Sequence, residues 1–276
     1  QGKSLPPTKM ASSAAAGGSI GRLDGKVALI TGASSGIGRG VAVKFAKLGA
    51  RLALTGRKTQ DLEAAGQECE AAGSQKPLLL TADLSKEADT EQVVKDTIEK
   101  FGQLDVLVNS AGILAMGSIE NTSLKQFDEV FNINVRAIYH LTMLCVPHLV
   151  KTKGSIVNVS SVNGIRAFPN VLAYCMSKGA LDQFTRCTAL ELAPKQVRVN
   201  SVNPGVIITN VHKRAGLDED AYQKFLERTK STHALGRPGE VEEVANTIAF
   251  LASDSSSFIT GATVPVDGGR HAMCPR

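Results

Sequence analysis

The sequence predicts one α/β domain in which a doubly wound, parallel sheet of seven strands carries helices on both faces. Three observations support this prediction. The 276 residues are 43% hydrophobic and 21% charged, which is enough apolar material for a full core. Short apolar runs alternate with segments of helical periodicity from residue 26 onward. No linker or shift in composition divides the chain, so one domain is expected rather than two.

Each predicted strand is a nearly continuous apolar run, which is the pattern of a parallel strand buried on both faces. Amphipathic segments between these runs supply the crossover helices. The predicted strands are residues 26–30, 51–55, 77–82, 104–109, 155–160, 197–202 and 262–266. The predicted helices are residues 37–48, 59–72, 87–101, 124–150, 173–192 and 241–252. Ligands of such sheets bind beyond the carboxyl ends of the strands.

The first 25 residues differ from the rest because they are rich in Ser, Ala, Gly and Pro and lack an apolar period. We expect a flexible segment over residues 1–25 and the domain over residues 26–276. The start, Gln1 to Lys3, resembles the remnant of an expression tag, and Met10 would then be the natural first residue.

The net charge of +5 does not predict a nucleic-acid partner. Residues 1–25 carry a net charge of +2 and residues 270–276 another +2, which leaves +1 for the 244 residues between them. A nucleic-acid-binding domain concentrates basic residues on its folded part. The aromatic content of 4% is also low for a surface that stacks on bases.

The cysteine pattern indicates neither a disulfide framework nor a metal site. The count of five is odd, and no C-x-x-C spacing occurs. We expect reduced, buried thiols in a cytoplasmic protein. No apolar run approaches the roughly 18 residues of a membrane-spanning helix, so no membrane span is expected.

A glycine-rich loop follows the first predicted strand, with the sequence T-G-A-S-S-G-I-G over residues 31–38. Gly32 permits a tight turn, Gly36 lets the backbone approach a pyrophosphate, and Gly38 permits close packing of helix on strand. The helix that follows would offer unpaired N–H groups and a favourable dipole to an anion. The alternative is a turn with a purely structural role.

The end of the second predicted strand indicates which coenzyme is bound. A carboxylate there would accept hydrogen bonds from a ribose 2′-hydroxyl and repel a 2′-phosphate. The sequence instead has Arg57 and Lys58, with no carboxylate before Asp61. An arginine pairs well with phosphate, so we predict NADPH rather than NADH. The alternative is that both cations are solvated surface charges.

Tyr174 and Lys178 are four residues apart in a helical pattern and therefore share one face of the helix. Ser161 ends the fifth predicted strand, at the edge where the site is expected. In the reduction of a carbonyl, Tyr174 could supply the proton, and Ser161 could orient the substrate oxygen. We expect the Lys178 ammonium, together with an oxidised nicotinamide, to lower the pKa of the Tyr174 phenol towards neutrality.

The glycine loop, the run N-S-A-G over residues 109–112 and the pair Tyr174 and Lys178 together resemble the short-chain dehydrogenase/reductase family over roughly residues 24–270. The resemblance implies a single Rossmann-type domain with sheet order 3-2-1-4-5-6-7, usually in a dimer or tetramer. It also implies hydride transfer between a nicotinamide cofactor and a carbonyl or alcohol. The family's catalytic tetrad matches Asn134, Ser161, Tyr174 and Lys178. In that scheme, Asn134 anchors a water of the proton relay.

The resemblance also assigns cofactor contacts. Asp83 and Leu84 would border the adenine, Asn109 and Gly112 the adenosine ribose, and the segment from Pro204 to Thr209 would clamp the nicotinamide. The full set of expected cofactor-binding residues is Gly32, Ser34, Ser35, Gly36, Ile37, Gly38, Arg57, Lys58, Asp83, Leu84, Asn109, Ala111, Gly112, Tyr174, Lys178, Pro204, Gly205, Ile207 and Thr209.

The expected substrate pocket is mainly apolar, which favours a lipophilic or acyl-type ketone. Its lining would come from residues 113–116, from residues 162–168 and from a lid over residues 210–235. In the lid, His212 is expected to be a solvated residue, with contact to the substrate as the alternative, and Tyr222 is assigned no special role.

The last forty residues resemble 3-oxoacyl-carrier-protein reductases, in the runs G-R-P at 236–238, I-T-G at 259–261 and V-D-G-G at 266–269. That subgroup implies a tetramer. The resulting hypothesis is an NADPH-dependent ketone or 3-oxoacyl reductase without a metal. Steroid, retinoid and polyol carbonyls remain open as substrates. The competing class is a non-enzymatic sensor or scaffold that binds NADPH.

Overall fold

The computed structural model describes residues 21–274, which form one seven-stranded sheet. All neighbouring strands are parallel and follow the order β3-β2-β1-β4-β5-β6-β7, so the predicted topology is confirmed. The strands are β1 (Val27–Thr31), β2 (Arg51–Gly56), β3 (Leu78–Thr81), β4 (Val106–Asn109), β5 (Ser155–Val159), β6 (Arg198–Pro204) and β7 (Thr263–Val266).

Nine α-helices occur within residues 21–274, and they include the predicted crossovers. They are α1 (Gly36–Lys47), α2 (Thr59–Ala71), α3 (Glu87–Phe101), α4 (Leu124–Phe131), α5 (Ala137–Thr152), α6 (Leu172–Leu192), α7 (Val211–Arg214), α8 (Glu219–Thr232) and α9 (Val241–Ala252). None of the described helices is long and apolar enough to cross a bilayer.

The two faces of the sheet bury two separate clusters, as the continuous apolar strands predict. In β1, Ala28 and Ile30 point to the face covered by α1 and α9, whereas Val27 and Leu29 point to the opposite face. Successive side chains of a strand alternate between faces, so every residue of β1 is buried. The helices on both faces thus hold the sheet in the core, and the loops at the carboxyl ends of the strands remain available to form a binding site.

The ordered domain begins before the predicted boundary at residue 26. Leu23 is only 1% exposed and belongs to the core beneath α1. Its N–H donates to the Leu48 carbonyl at 2.9 Å, which ties it to the end of α1. The rest of the predicted flexible segment, residues 1–20, lies outside the described residues.

The single helix predicted over residues 124–150 is wrong in one place. A π-helical turn, Asn132–Arg136, separates α4 from α5. Apolar periodicity continues through such a turn, because one wide turn shifts the pattern by about one residue. The turn matters because it carries Asn134.

The lid predicted over residues 210–235 contains α7 and α8. The Asp218 carboxylate accepts a hydrogen bond from the Ala221 N–H at 2.8 Å, which explains why α8 begins there. The prediction that the cysteines are buried holds only for Cys69 and Cys145, since Cys187 and Cys274 are exposed and Cys175 is half-buried.

Candidate active site

A cavity of about 2310 Å³ opens at the carboxyl edge of the sheet, where the parallel topology predicts a site. Its lining comes from the segments that follow β1 to β6, from the lid and from the turn after β7. All four predicted tetrad positions lie around it, although Asn134 stands behind its wall. Within residues 21–274, no cluster of three His, Cys, Asp or Glu side chains could hold a metal ion.

The glycine loop forms one end of the cavity and leaves no space for side chains. Gly32 and Gly36 have φ values of +64° and +56°, which favour glycine. A Cβ on Gly38 would lie 2.7 Å from the Gly32 carbonyl carbon, and a Cβ on Gly36 would lie 3.4 Å from Thr209. The backbone can therefore approach a pyrophosphate closely at the start of α1, as a dinucleotide requires.

The loop is held in place from the neighbouring strand. The Thr31 hydroxyl accepts hydrogen bonds from the N–H groups of Ser110 and Ala111, each at 2.9 Å. The segment after β4 therefore sits against the glycine loop, and Ser110, Ala111 and Gly112 all line the cavity.

The cavity-lining residues that directly follow β2, Arg57 and Lys58, are cations, and the first carboxylate after them is that of Asp61. Arg57 is exposed and makes no ion pair within residues 21–274, whereas Lys58 lies 4.0 Å from Asp61. Ser34 packs closely against Gly56, because a Cβ added at Gly56 would lie only 3.0 Å from the Ser34 hydroxyl. A ribose 2′-phosphate would therefore find in Arg57 a donor that no carboxylate of the described residues holds in an ion pair.

The next loop supplies Asp83 and Leu84 to the same wall. Burial opposes ionisation of Asp83, but hydrogen bonds from Ser85 and the charge of Arg57 hold its pKa below the usual value. Asp83 is thus an anionic, fixed group whose oxygen accepts from the Ser85 N–H at 3.1 Å.

Asn109, one of the expected cofactor contacts, does not line the cavity. Its side chain is fully buried, and its amide donates to the Asn158 oxygen at 2.9 Å and to the Thr142 hydroxyl at 3.2 Å. It therefore ties β4 to β5 and α5. Ile133 and Ser110, which sequence reasoning did not select, line the cavity instead.

Tyr174, Lys178 and Ser161 line one part of the cavity wall. Lys178 is only 4% exposed, its Nζ lies 5.7 Å from the centre of the Tyr174 ring, and it donates to the Val159 carbonyl at 2.9 Å. The one-turn spacing on α6 produces this pairing, as the sequence predicts. Ser161 lies just after β5, and its side chain is a hydrogen-bond partner of the Tyr174 phenol.

The predicted lowering of the Tyr174 pKa is not what the protein's own groups produce. Burial raises the pKa of the phenol to about 12, although the hydrogen bond with Ser161 lowers it in part. Burial also lowers the pKa of Lys178 to about 8, against the attraction of Asp182. Desolvation thus favours the neutral form of each group.

Asn134 holds the segment after β4 through three hydrogen bonds. Its oxygen accepts from the Ile113 N–H at 2.9 Å, and its amide donates to the Ile113 carbonyl at 2.9 Å and to the Ser177 hydroxyl at 3.1 Å. The side chain is fully buried with both donors used. The structure therefore gives this side chain a clamping role, and the expected water-anchoring role stays a prediction.

A buried polar network beneath Ser161 was missed by the sequence analysis. The Asn203 amide donates to the Ser161 carbonyl at 2.9 Å and to the Asp182 carboxylate at 2.8 Å. Asp182 is 1% exposed, and burial raises its pKa despite these hydrogen bonds and the nearby Lys178. The network fixes the position of Ser161 relative to α6. The sequence signal that could have indicated this network is the presence of polar residues, such as Asn203 and Asp182, within a strand and a helix.

The segment after β6 brings the expected nicotinamide clamp to the cavity. Pro204, Gly205, Ile207 and Thr209 all line it. Gly205 is tightly enclosed, because a Cβ there would lie 2.9 Å from both the Asp267 backbone and the His233 ring. The Tyr222 hydroxyl donates to the Thr209 carbonyl at 3.0 Å, so this tyrosine, which was assigned no special role, anchors the clamp to the lid.

The lid also differs from expectation at His212. Its ring packs against Phe225 with centres 4.4 Å apart, and burial together with Arg270 lowers its pKa to about 4. His212 is therefore a neutral, half-buried group that lines the cavity. From the end of α7, Arg214 donates to the Ser35 hydroxyl at 2.8 Å and so connects the lid to the glycine loop.

Comparison with known proteins agrees with this geometry. A family model described as enoyl-(acyl carrier protein) reductase matches residues 32–271. The 3-oxoacyl-[acyl-carrier-protein] reductase of Thermotoga maritima is 39% identical over 250 residues, covering 90% of this chain and 98% of the relative. Meso-2,3-butanediol dehydrogenase of Serratia marcescens is 38% identical over 251 residues, covering 91% of this chain and 96% of the relative.

A solved structure gives the same result for the fold. A Caenorhabditis elegans short-chain dehydrogenase/reductase of unknown function, solved with cofactor, superposes with a TM-score of 0.87 at 37% identity. The match covers 92% of this chain and 97% of that one. With the sheet order, the glycine loop and the Tyr174–Lys178 pair, these matches show that the chain belongs to the short-chain dehydrogenase/reductase family.

Proposed function

We propose that the protein is an NADPH-dependent oxidoreductase that transfers a hydride between nicotinamide and a ketone or secondary alcohol. The observation that carries the proposal is one cavity with a glycine loop at one end and Ser161, Tyr174 and Lys178 in its wall. When bound, the dinucleotide supplies the hydride. The glycine loop would hold its pyrophosphate, Arg57 its 2′-phosphate and the segment from Pro204 to Thr209 its nicotinamide.

Tyr174 is the proposed proton donor. Its pKa of about 12 keeps the phenol protonated at neutral pH, so it can give a proton to a carbonyl oxygen that gains negative charge. The Ser161 hydroxyl accepts a hydrogen bond from the Asn163 N–H at 3.1 Å. It would donate its own proton to the substrate oxygen and so orient the substrate.

Lys178 supports the phenolate that this transfer leaves behind. Its ammonium lies 5.7 Å from the Tyr174 ring and is fixed by the Val159 carbonyl. With a pKa of about 8, it remains largely charged at neutral pH and would stabilise the phenolate electrostatically. The same residue is the proposed ligand of the nicotinamide ribose.

The preference for NADPH is supported by charge at the end of β2. Arg57 is exposed, forms no ion pair among the described residues and borders the cavity near Ser34. A guanidinium gives phosphate a forked, permanently charged donor. The carboxylate that would favour a free ribose 2′-hydroxyl is absent from residues 55–60.

The proposed substrate is a lipophilic or 3-oxoacyl-type ketone. Apolar side chains that include Ile113, Leu114, Met116 and Phe168 line the cavity on the side of Tyr174. The activities for which two relatives are named, on 3-oxoacyl groups and on butanediol, support the same reaction class.

We further propose a homo-oligomer in the cytoplasm. Large apolar side chains are exposed along neighbouring helices, with Tyr139 and Met143 on α5 and Leu190 on α6. Tyr139 and Phe184 connect the two helices, with ring centres 6.0 Å apart. Such a surface favours contact with a second copy of the chain.

The test is a hydride-transfer assay over a panel of ketones, diols and sugars with NADPH, NADP, NADH and NAD. We expect reduction of ketones with NADPH at the highest kcat/KM. Oxidation of sugars or diols with NAD as the fastest reaction would replace the ketone and NADPH assignments. Tight NADPH binding without turnover of any compound would favour the sensor or scaffold.

A further inference from the structure

The cavity lining is strongly cationic, although the folded part of the sequence is almost neutral. Nine arginine and lysine side chains line it, against two aspartates. Both aspartates, Asp61 and Asp83, lie on the segments that follow β2 and β3, at the proposed adenosine end. Cofactor phosphates explain basic residues at that end, but they do not explain those at the other end.

Three of the nine cations form what we call the arginine cluster, namely Arg166, Arg228 and Arg270. Arg270 begins the turn after β7, and its guanidinium lies 4.4 Å from the centre of the Phe168 ring. Arg166 donates to the carbonyl of Met273 at 3.2 Å and so meets the same turn. Arg228 projects from α8 of the lid.

The cluster lies beside the proposed catalytic residues. Arg166 and Phe168 belong to the segment that joins Ser161 to Tyr174. His212 is close to Arg270 but is neutral at pH 7, since its pKa is about 4. The arginine cluster thus borders the end of the cavity that receives the substrate.

Among the described residues, none of the three arginines of the cluster forms an ion pair with a carboxylate. Arg228 and Arg270 repel each other, and this repulsion adds to burial in lowering the pKa of Arg270. The attraction of Asp267 offsets part of this lowering, and the Asp267 carboxylate also accepts from the His271 N–H at 2.6 Å and the Gly269 N–H at 3.1 Å. Like charges that converge on a cavity without a counter-ion favour the binding of an anion.

We propose that the substrate carries an anionic group, a carboxylate or a phosphate, which the arginine cluster binds while Tyr174 and Ser161 hold the carbonyl. This inference rests on the proposed function and narrows its substrate class to charged oxo compounds. The aromatic face of Phe168 keeps the Arg270 guanidinium oriented, and a planar guanidinium then offers two parallel donors to one anion.

The experiment compares substrates in two matched pairs, each with an anionic and a neutral member. Acetoacetate and methyl acetoacetate test a carboxylate, whereas acetoacetyl-coenzyme A and acetoacetyl-N-acetylcysteamine test a phosphate-bearing carrier. We expect the ratio of kcat/KM, anionic to neutral, to exceed about tenfold in at least one pair. The pair that shows it identifies the source of the charge.

Substitutions in the arginine cluster then test whether it causes the preference for the anionic substrate. Arg270→Gln and Arg228→Gln should each reduce the ratio by about tenfold or more, and Arg270→Lys should restore part of it. Arg51→Gln is the matched control, because Arg51 also lies over a phenylalanine, 4.9 Å from the Phe101 ring, but at the opposite edge of the sheet. It should leave the ratio unchanged.

Calorimetric measurement of how tightly each member of a pair binds to the NADPH-loaded protein separates this inference from the proposed function. Loss of all turnover in every pair would refute the proposed function, while tighter binding of the anionic member would still support the cluster. Ratios near one in both pairs of the wild type, or ratios that Arg270→Gln and Arg228→Gln leave unchanged, would overturn the inference.

Discussion

Replacing Asn134 by aspartate changes one atom in a buried clamp, and the structure gives the size of the effect. In the native side chain, the amide nitrogen donates to the Ile113 carbonyl and to Ser177, while the oxygen accepts from the Ile113 N–H. A carboxylate keeps only the last of these bonds. The Ser177 hydroxyl cannot compensate, since it already donates to the Tyr174 carbonyl at 2.7 Å.

Each buried hydrogen bond that loses its donor costs about 1–3 kcal/mol. Asn134→Asp should therefore lower the free energy of unfolding by about 2–6 kcal/mol at pH 8. At pH 5 the protonated acid can donate one bond again, which recovers about 1–3 kcal/mol. The substituted carboxyl has a raised pKa in the folded state. Its stability deficit is hence smallest at low pH and grows as the pH rises from about 4 to that raised pKa.

The assay is urea unfolding at pH 5 and pH 8 and at one protein concentration, with the wild type measured alongside. Asn134→Ala is the control, because it removes the same bonds without adding a titratable group and should show a deficit that does not change with pH. An aspartate variant with equal deficits at both pH values, or with the stability of the wild type, would refute the clamp.

Three further predictions concern the cofactor site and the buried lysine. Arg57→Asp should raise KM for NADPH by about tenfold or more and leave KM for NADH within about threefold, because it replaces the proposed phosphate partner by a carboxylate. Burial depresses the pKa of Lys178 from 10.5 to about 8, so the wild type should gain up to about 3 kcal/mol relative to Lys178→Met as pH rises across that interval. Gly38→Ala should destabilise the protein by about 1–3 kcal/mol and weaken NADPH binding, since the new Cβ meets the Gly32 backbone.

Each of these has a contrary outcome. Equal changes in KM for both coenzymes would remove Arg57 from the phosphate site. A stability difference for Lys178→Met that is flat between pH 8 and 10 would show that the ammonium is not desolvated. Gly179→Ala serves as the control for Gly38→Ala, because its Cβ would lie 3.8 Å from the nearest atom, an ordinary contact inside α6. A loss of stability at Gly179 equal to that at Gly38 would contradict the steric argument.

The sheet and the placement of the cavity could be predicted from the sequence because they depend on local patterns. The apolar run that forms β1 and the glycine loop that follows it mark a strand, a turn and a helix in succession. The four-residue spacing of Tyr174 and Lys178 is likewise a local feature of one helix.

The features that sequence reasoning missed all depend on contacts between distant segments. The π-helical turn that carries Asn134 leaves no signal in the apolar periodicity, and the bond from the Ile113 N–H joins Asn134 to another segment. The sequence assigned Arg270 to a charged tail, whereas the fold brings it onto Phe168 and into the cavity. Net charge summed along a chain does not report the charge of a surface assembled from several loops.

The pKa of Tyr174 shows a different kind of gap. Pairing with Lys178 was deduced from spacing, but burial, which the sequence does not show, decides the direction of the shift. The phenol is thus a protonated donor in the protein alone.

The central claim, that Tyr174 donates the proton in an NADPH-dependent reduction, is tested most directly by Tyr174→Phe. The measurement pairs kcat for a ketone from the panel with the Kd for NADPH of the same preparation. We expect kcat to fall by about 10²–10⁴-fold and the Kd for NADPH to stay unchanged. A variant that keeps kcat within about threefold of the wild type would contradict it.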